Sequence, residues 1–306
     1  MSNKILFFGN ERIATGVTTN ISVLQTLIAA GYEITGVVVA QEIAGPSRNS
    51  RELEIVQVAE QNQIPVLSPP KLADAVDELK ALGAEIGVLV AYGKIIPQSV
   101  IDIFPHGIIN LHPSLLPKHR GPTPIESVLL AGDVETGVSI MQLTAGMDAG
   151  PLYAQMRIDL EGYETKQALA DELLLVGKDM IRELLPLILQ GSLTPTSQDE
   201  SQASYDQKLD KLASTIDWQK PAVQLEREIR AYAGWPRSRT TLGRSEIIIT
   251  AARVAPGHGT PGDLWIEDRL IGVFTSKDVL VIDRLIPAGK SEMDGSAFML
   301  GYQGSF

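Results

Sequence analysis

The stretch KILFFG, residues 4–9, decides the fold, because it is an unbroken apolar run that ends in glycine. Such a run is typical of a strand that is buried on both faces of a parallel sheet. Residues 17–28 then place apolar side chains at helical spacing, and Gly31 follows as a candidate C-cap. A buried strand followed by a helix predicts the first unit of an α/β domain.

The same alternation continues along the first 190 residues. Further strands are predicted at EITGVVVA (33–40), near residues 65–67, at EIGVLVAY (85–92) and at GIINLH (107–112). Helices are predicted over residues 52–61, 73–82 and 165–190. Strands that alternate with helices predict a Rossmann-like, doubly wound and mostly parallel sheet domain over residues 1–190.

The pattern changes after residue 190. The stretch GSLTPTSQDESQAS (191–204) has the composition of a linker, which we expect to extend over residues 191–206. A helix over 221–231 precedes four short apolar runs, at residues 246–254, 262–268, 270–275 and 279–286, which are separated by glycine and proline. Short strands with turn signals predict a small OB-like β-barrel domain over residues 207–306.

Charge and composition exclude several classes of protein. The net charge of −11 argues against a nucleic-acid partner, but residues 205–306 carry 13 basic and 13 acidic residues and are therefore neutral. No cysteine is present, so disulfides and thiolate metal sites are excluded. The start MSNKILFFGN has too short an apolar run for a signal peptide, and no run approaches a membrane span. We therefore expect a cytoplasmic protein without a membrane segment.

A glycine after the first strand suggests a dinucleotide site, but the spacing does not fit one. The next glycine after Gly9 is Gly16, so neither G-x-G-x-x-G nor G-x-x-x-x-G-K-[ST] occurs here. A plain turn between strand and helix is the favoured interpretation of Gly9.

The most informative segment is INLHPSLLPKHRGPTPI, residues 109–125. Asn110 and His112 are two positions apart on a predicted strand, so their side chains point to the same side. They lie at the carboxyl end of that strand, where open α/β sheets place their ligands. The four prolines that follow stiffen the loop, which suits a substrate-binding loop.

A second polar segment is TAGMDAGPLY (144–153), in which Asp148 lies between two glycines that allow close approach of a ligand. Each feature has an ordinary alternative: Asn-x-His can be a turn pattern, and an aspartate between glycines is often a turn residue. His119 and Arg120 can be solvated surface. The histidines His106, His112 and His119 are irregularly spaced, so no metal site is predicted.

Taken together, NLHPSLLPKHRGPTPI and GMDAG resemble the signature of the formyltransferases that use 10-formyltetrahydrofolate. The resemblance implies that Asn110, His112 and Asp148 form the catalytic set. It also implies that a folate loop is formed by Ser114, Leu115, Leu116 and Pro117. The stretch AYGKIIP (91–97) is similar to the family's pterin wall, which assigns Ala91, Tyr92, Gly93 and Ile95 to the folate site.

This residue set suits formyl transfer to an amine. Attack on the formyl carbon generates an oxyanion, and preorganised donors toward that oxygen are each worth on the order of 3 kcal/mol. Asn110 and His112 are the candidate donors, while Asp148 can orient the imidazole, stabilise its charged form and help to remove the ammonium proton. No metal and no covalent enzyme intermediate is required.

The C-terminal part indicates the acceptor. SYDQKLDK (204–211), STIDW (214–218), QLEREIRAYAGWPRS (224–238) and LIPAGKSEM (285–293) resemble the methionyl-tRNA branch of the family. That resemblance implies methionyl-tRNA as partner. We hypothesise that Arg48 and Arg51, in a shortened loop over 40–54, act near the tRNA 3′ end, and that a weaker basic track is formed by Arg237, Arg239, Arg244 and Arg253. We expect a monomer.

Other interpretations of the same residues remain open. A sugar-nucleotide N-formyltransferase shares the catalytic domain and can carry a small C-terminal barrel. Hydrolysis of the folate donor needs only water in place of the amine. A binding protein for folate or RNA that retains the fold but not the activity is a third possibility, against which the presence of Asn110, His112 and Asp148 argues.

Overall fold

The computed structural model describes residues 3–40 and 54–301. The first half is built from β1 (Lys4–Gly9), α1 (Val23–Ala29), β2 (Glu33–Val38), α2 (Glu54–Gln61), β3 (Val66–Leu67), α3 (Val76–Ala81), β4 (Ile86–Val90), α4 (Gln98–Ile101) and β5 (Ile108–His112). It continues through α5 (Pro124–Ala131), β6 (Glu135–Gln142), β7 (Leu152–Asp159) and α6 (Lys166–Leu189). Arg48 and Arg51 lie outside the described residues.

These seven strands form one sheet in the order β3-β2-β1-β4-β5-β6-β7. The strands from β3 to β5 run parallel, whereas β6 is antiparallel to both β5 and β7. The Rossmann-like, doubly wound and mostly parallel sheet is therefore confirmed. The two-strand antiparallel extension was not predicted.

The apolar run of β1 is buried on both faces, as expected. Ile5 and Phe7 belong to the core on the side of α1 and α6, while Leu6 and Phe8 belong to the core on the side of α3 and α4. Gly9 has φ +137°, and a Cβ there would lie 1.8 Å from the Val90 carbonyl oxygen. Close approach of two strands therefore accounts for this glycine.

Two helix predictions differ from the structure at their starts. The first helix begins at Val23, because the Ser22 side chain accepts a hydrogen bond from the Gln25 amide and caps it. Val17 and Ile21 therefore precede the helix, although Val17 is buried. The helix predicted over 73–82 starts as a 3-10 turn, Leu72–Ala75, before α3.

The C-terminal part comprises α7 (Ala222–Ala231), β8 (Ser238–Leu242), β9 (Ser245–Ala255), β10 (Leu264–Glu267), β11 (Leu270–Phe274), β12 (Val279–Pro287), β13 (Met293–Asp294) and α8 (Gly295–Gly301). Its strands pair antiparallel in the order β10-β11-β12-β9-β8, with β13 on β12. The predicted small antiparallel C-terminal domain is therefore confirmed, and within the described residues its strand pairing is an open path. The apolar face is covered by helical residues, among them Leu225, Ile229 and Phe298, so helices complete the core.

The segment between the two sheets is ordered by the first one. Thr196 exchanges two backbone hydrogen bonds of 2.8 Å with Leu152, and a 3-10 turn forms at Glu200–Gln202. The Ser204 amide then donates to the Pro117 carbonyl at 3.2 Å. The segment with linker composition is therefore hydrogen-bonded to the first domain and is not a free linker. In the described part of the chain, no helix has the length and apolar character needed to cross a membrane.

Candidate active site

A cavity of about 680 Å³ opens at the carboxyl ends of β1, β4 and β5. Open α/β sheets bind ligands at this edge, because loops leave neighbouring strands there without helices above them. Its walls come from residues 10–15, 91–96, 110–113 and 143–148, with Gly121, Pro122, Pro124 and Lys208 completing the rim.

Asn110 and His112 both line this cavity from the carboxyl-terminal half of β5, on the same side of the strand, as their spacing predicted. Their side chains are almost fully buried, with exposures of 6% and 4%. Among the described residues, no protein group makes a hydrogen bond to the side-chain amide of Asn110. Its donor is therefore available to a ligand in the cavity.

Asp148 reaches the same wall from the loop between β6 and β7. It adopts φ +48°, a left-handed conformation that aspartate tolerates better than most residues. One carboxylate oxygen accepts the Gly121 amide at 2.8 Å, and the other lies 3.7 Å from Nδ1 of His112. The structure thus brings together the three residues assigned to catalysis, although their roles stay a prediction.

The hydrogen bonding of His112 sets the chemistry of its ring. Nε2 lies 2.8 Å from the carbonyl oxygen of His119, and a carbonyl can only accept. Nε2 therefore carries a hydrogen, and Nδ1 is the nitrogen that faces Asp148. Nδ1 can take a proton from a group in the cavity, and the carboxylate then stabilises the imidazolium that forms.

This arrangement supports transfer of an acyl-type group to an amine. The Asn110 side-chain amide and a protonated Nδ1 of His112 are buried donors that line the same cavity, and donors fixed in this way stabilise a developing negative charge. Asp148 balances the positive charge on the ring. An apo site commonly shows longer distances than the reacting complex, so 3.7 Å is compatible with this role.

The residues assigned to the folate site fall into two groups. Ala91, Tyr92, Gly93 and Ile95 line the cavity, where they form a wall with Leu89, Ile96 and Leu143. Ser114, Leu115, Leu116 and Pro117 do not line it.

The predicted folate loop is instead held against the antiparallel extension of the sheet. Ser114 is fully buried, and its hydroxyl donates to the Lys118 carbonyl. Leu116 donates its amide to the Ser139 hydroxyl and accepts from Gln155. These bonds fix the conformation of the loop, and its assignment to the folate site stays a prediction.

The four arginines predicted to form a basic track are exposed on the C-terminal part. Arg239 lies on β8 and lines a groove of about 410 Å³ with Ile248 and Ile286. Arg237 donates to the Gly234 carbonyl, Arg244 lies in the β8–β9 turn, and Arg253 pairs with Asp283. None of the four lines the cavity that contains Asn110.

His119 and Arg120 are not solvated surface, so that interpretation was wrong. The His119 ring lies 2.8 Å from Asp133 and 3.2 Å from Asp206; burial lowers its pKa, but the two carboxylates raise it further, and the net shift is upward. Arg120 is fully buried and donates to Gln198, Glu200 and Tyr205. The polar residues that satisfy both side chains come largely from the predicted linker.

Three cationic residues of the cavity were not assigned from the sequence: Arg12, Lys94 and Lys208. Arg12 pairs with Glu54 at 2.8 Å, while Lys94 and Lys208 are exposed at the rim. Lys208 belongs to the SYDQKLDK stretch, which resembles the methionyl-tRNA branch of the family. The sequence did not predict that Lys208 lines the cavity. Across residues 3–40 and 54–301, no cluster of three or more acidic or histidine side chains could hold a metal ion.

Comparisons with known proteins identify the family to which this chain is similar. A family model described as formyl transferase matches residues 11–185, and one described as formyl transferase, C-terminal domain, matches residues 208–303. The methionyl-tRNA formyltransferase of Chloroflexus aurantiacus is 38% identical over 309 aligned positions, covering 97% of this chain and 96% of the relative.

Two solved structures share the fold. One is an N-formyltransferase from Helicobacter canadensis in complex with folinic acid and dTDP-3-aminofucose, with TM-score 0.68 and 18% identity over 92% of this chain and 99% of that one. The other is HypX from Aquifex aeolicus in complex with tetrahydrofolic acid, with TM-score 0.62 and 15% identity over 98% of this chain and 47% of that one. The family matches and the near full-length identity show that this chain belongs to the formyl transferases, in the methionyl-tRNA formyltransferase branch.

Proposed function

We propose that this chain transfers the formyl group of 10-formyltetrahydrofolate to the α-amino group of methionyl-tRNA, and so makes the formylated initiator for translation. The observation that carries the proposal is that Asn110, His112 and Asp148 line one cavity together with apolar residues such as Ile95, Ile96 and Leu143. Similarity to methionyl-tRNA formyltransferases along nearly the whole chain supports this acceptor.

In this reaction the three residues take separate roles. Asn110 donates its amide hydrogen to the oxygen of the formyl carbon as the amine attacks. His112 receives a proton at Nδ1, while its Nε2 hydrogen stays on the His119 carbonyl. Asp148 holds the charged ring in place and helps to remove the first ammonium proton, which the ordinary amine pKa of roughly 7.7–8.0 makes a mild requirement. The bond between the formyl carbon and the folate nitrogen then breaks, and the proton held by His112 passes to that nitrogen, so that tetrahydrofolate leaves.

The cavity fits the folate donor in size and chemistry. Its volume of about 680 Å³ lies within the range of roughly 300–1,000 Å³ that is usual for small-molecule sites. The flat pterin would lie against the wall formed by Ala91, Tyr92, Gly93 and Ile95, and the formyl group would face Asn110. The loop formed by Ser114, Leu115, Leu116 and Pro117, which β6 and β7 hold in place, would contact the folate as the family resemblance implies.

The acceptor would enter at the rim that carries Lys94 and Lys208. Exposed ammonium groups beside a catalytic cavity suit the phosphates of a tRNA 3′ end, since phosphate contacts supply most of the non-specific affinity for nucleic acid. Arg237, Arg239, Arg244 and Arg253 would contact the tRNA farther from the reacting amine, while Arg48 and Arg51 keep their predicted role near its end.

The chain acts as a monomer in the cytoplasm, where charged tRNA and ribosomes meet, without a membrane partner. Its catalytic unit spans residues 1–190, its joining segment residues 191–206, and its tRNA-contacting unit residues 207–306.

One assay tests the proposed function. Purified protein is given 10-formyltetrahydrofolate with methionyl-tRNA, with an amino-sugar nucleotide, or with water alone, and formylated product and released tetrahydrofolate are both measured. We expect formylation of methionyl-tRNA only. Formylation of the sugar alone would assign the chain to sugar formylation, and folate release without an acceptor would assign it to hydrolysis.

A further inference from the structure

Residues 198–206, the clasp segment, run beside the tripeptide His119–Arg120–Gly121 in backbone contact. The Arg120 amide donates to the Ser204 carbonyl at 2.9 Å, and the Asp206 amide donates to the Arg120 carbonyl at 2.7 Å. A Cβ on Gly121 would lie 2.7 Å from the Asp206 carbonyl oxygen, so glycine is needed for this approach. The segment that joins the two sheets is therefore fixed to the edge of the active site.

The flanking residues of that tripeptide hold the catalytic pair. The His119 carbonyl accepts the Nε2 hydrogen of His112, and the Gly121 amide donates to the Asp148 carboxylate. The conformation of the tripeptide therefore sets the position of the imidazole relative to the carboxylate.

Gln198 connects the clasp segment to Asp148 directly. Its Nε2 donates to the backbone carbonyls of Asp148 and Gly150, at 2.8 and 2.7 Å. Its Oε1 accepts two hydrogen bonds from Arg120, at 2.8 and 3.2 Å. A carbonyl only accepts and a guanidinium only donates, so the site requires a planar group with both functions, which an amide provides and a carboxylate does not.

Arg120 anchors the other side of Gln198. It is fully buried, and its two terminal nitrogens bind both oxygens of Glu200, at 2.9 and 2.7 Å. Nη1 also donates to the Tyr205 hydroxyl at 2.8 Å, and the guanidinium carbon lies 5.5 Å from the centre of that ring. A bidentate, buried anchor of this kind has little freedom to move.

We propose that Gln198 is a positioning residue for formyl transfer, which holds the Asp148 loop so that the carboxylate faces Nδ1 of His112. The inference rests on the proposed function for its kinetic readout. Gln198 does not line the cavity, so it acts through Asp148 and not on the substrates. The Asp148 backbone at φ +48° is the part of the loop that needs such support.

The test compares Gln198→Glu with Gln202→Glu. Both changes add one negative charge to the same segment, but only the first replaces a donor to the Asp148 and Gly150 carbonyls. Gln202 is exposed and donates to Asp199 alone. We expect Gln198→Glu to lower kcat on the order of tenfold with KM for both substrates within about twofold, and Gln202→Glu to leave kcat unchanged.

A double-mutant cycle separates positioning from general destabilisation. If Gln198 acts through the carboxylate, Gln198→Glu should change kcat less than about twofold when Asp148→Asn is already present. An equal loss in both backgrounds, or a wild-type kcat in the single variant, would overturn the proposal.

A second measurement does not depend on the assay. Hydrogen exchange of the Gly121 amide reports its bond to Asp148, and we expect Gln198→Glu to speed it by about tenfold or more, while Gln202→Glu does not. Unchanged exchange would overturn the proposal even if the protein formylated no acceptor. Faster exchange in a protein without transferase activity would support the positioning and reject the proposed function.

Discussion

At the scale of single residues, the site depends on the two carboxylate oxygens of Asp148, which have different partners. One carboxylate oxygen is held by a backbone amide, and the other is left to face the imidazole of His112. The two oxygens therefore serve different purposes, and a substitution can remove one function while keeping the other.

Asp148→Asn is the first prediction. The asparagine keeps an oxygen for the Gly121 amide, so the loop should stay folded, but it has no charge to stabilise an imidazolium. We expect turnover to fall at least ~100-fold, the usual size of a lost proton-transfer contribution, with little change in thermal stability. Steady-state kinetics beside a thermal melt checks this. Near-normal turnover would remove Asp148 from the mechanism.

Asn110→Ala is the second prediction. The amide has no protein partner among the described residues, so its removal should cost little stability. Because its hydrogen bond strengthens only as charge develops, we expect kcat to fall by about 10²–10³-fold while folate affinity is kept. Binding titration of a folate analogue, compared with kcat, separates the two effects. Weaker binding at unchanged kcat would contradict the assigned role.

Sequence patterns predicted part of this site. The shared side of Asn110 and His112 follows from their spacing on a strand, and the cavity confirms it. The approach of Asp148 to His112 could not be derived from spacing, because 35 intervening residues form a helix and a strand. The burial of Arg120 was missed because its partners, Gln198 and Glu200, lie about 80 positions away in a stretch with linker composition.

At the scale of elements, α1 is stabilised by a residue outside it. Its first turn has no acidic side chain, but Glu11 accepts the Leu24 amide at 2.8 Å from the preceding loop. Glu11 is 5% exposed, and burial raises its pKa from 4.5 to about 7, against the opposing effect of its hydrogen bonds.

The third prediction concerns stability against pH. Between pH 4.5 and about 7 the folded protein keeps the Glu11 proton that the unfolded chain releases, so rising pH favours unfolding. The shift corresponds to about 3 kcal/mol at most. Glu11→Gln removes this dependence while keeping an oxygen for Leu24. Urea unfolding should therefore show the variant gaining stability over wild type from pH 5 to 8. A difference that is constant with pH would contradict the assignment.

The elements themselves were predicted to different extents. β1 and β4 were found because apolar runs of this length have few alternatives, and both faces of β1 are buried. β2 and β5 were found because most of their residues are apolar as well. The antiparallel β6 and β7 were missed, since the side chains of β7 are half-buried or exposed and give no apolar run. The antiparallel C-terminal domain was predicted from its short apolar runs, but the helices α7 and α8 that cover its apolar face could not be assigned that position from the sequence.

At the scale of the whole molecule, one buried ion pair joins the active site to the C-terminal part. Glu126 and Lys166 are 0% and 1% exposed, with 3.6 Å between their charged atoms. Glu126 also accepts the amide of Thr15, which lines the cavity, and Lys166 donates to the Trp235 carbonyl. The pair thus contacts the cavity wall on one side and the C-terminal part on the other.

Lys166→Met is the fourth prediction. It leaves the Glu126 charge buried without its partner, which typically costs about 3–5 kcal/mol. The double variant Glu126→Gln with Lys166→Met is the control, and it should regain most of that stability because no charge stays buried. Urea unfolding of the three proteins checks both statements. A single variant as stable as the double would show that the pair is not electrostatically coupled.

The fifth prediction concerns the exposed arginines of the C-terminal part. Reversing Arg237, Arg239, Arg244 and Arg253 together should raise KM for methionyl-tRNA by about tenfold or more at low salt, and the difference should shrink as salt rises. KM for the folate should not change, because none of the four lines the cavity. Among single reversals, Arg253 should matter least, since Asp283 already pairs with it. An unchanged KM for tRNA would discard the basic track.

The clasp segment also decides where this chain can be cut or recombined. A protein ending after α6 would keep every strand of the first sheet but lose Gln198, Glu200 and Tyr205, on which Arg120 depends. Exchange of C-terminal domains between formyl transferases would therefore preserve the catalytic geometry only when the crossover lies beyond Asp206. The joining segment would therefore have to be taken from the same parent protein as the catalytic unit whose geometry it holds.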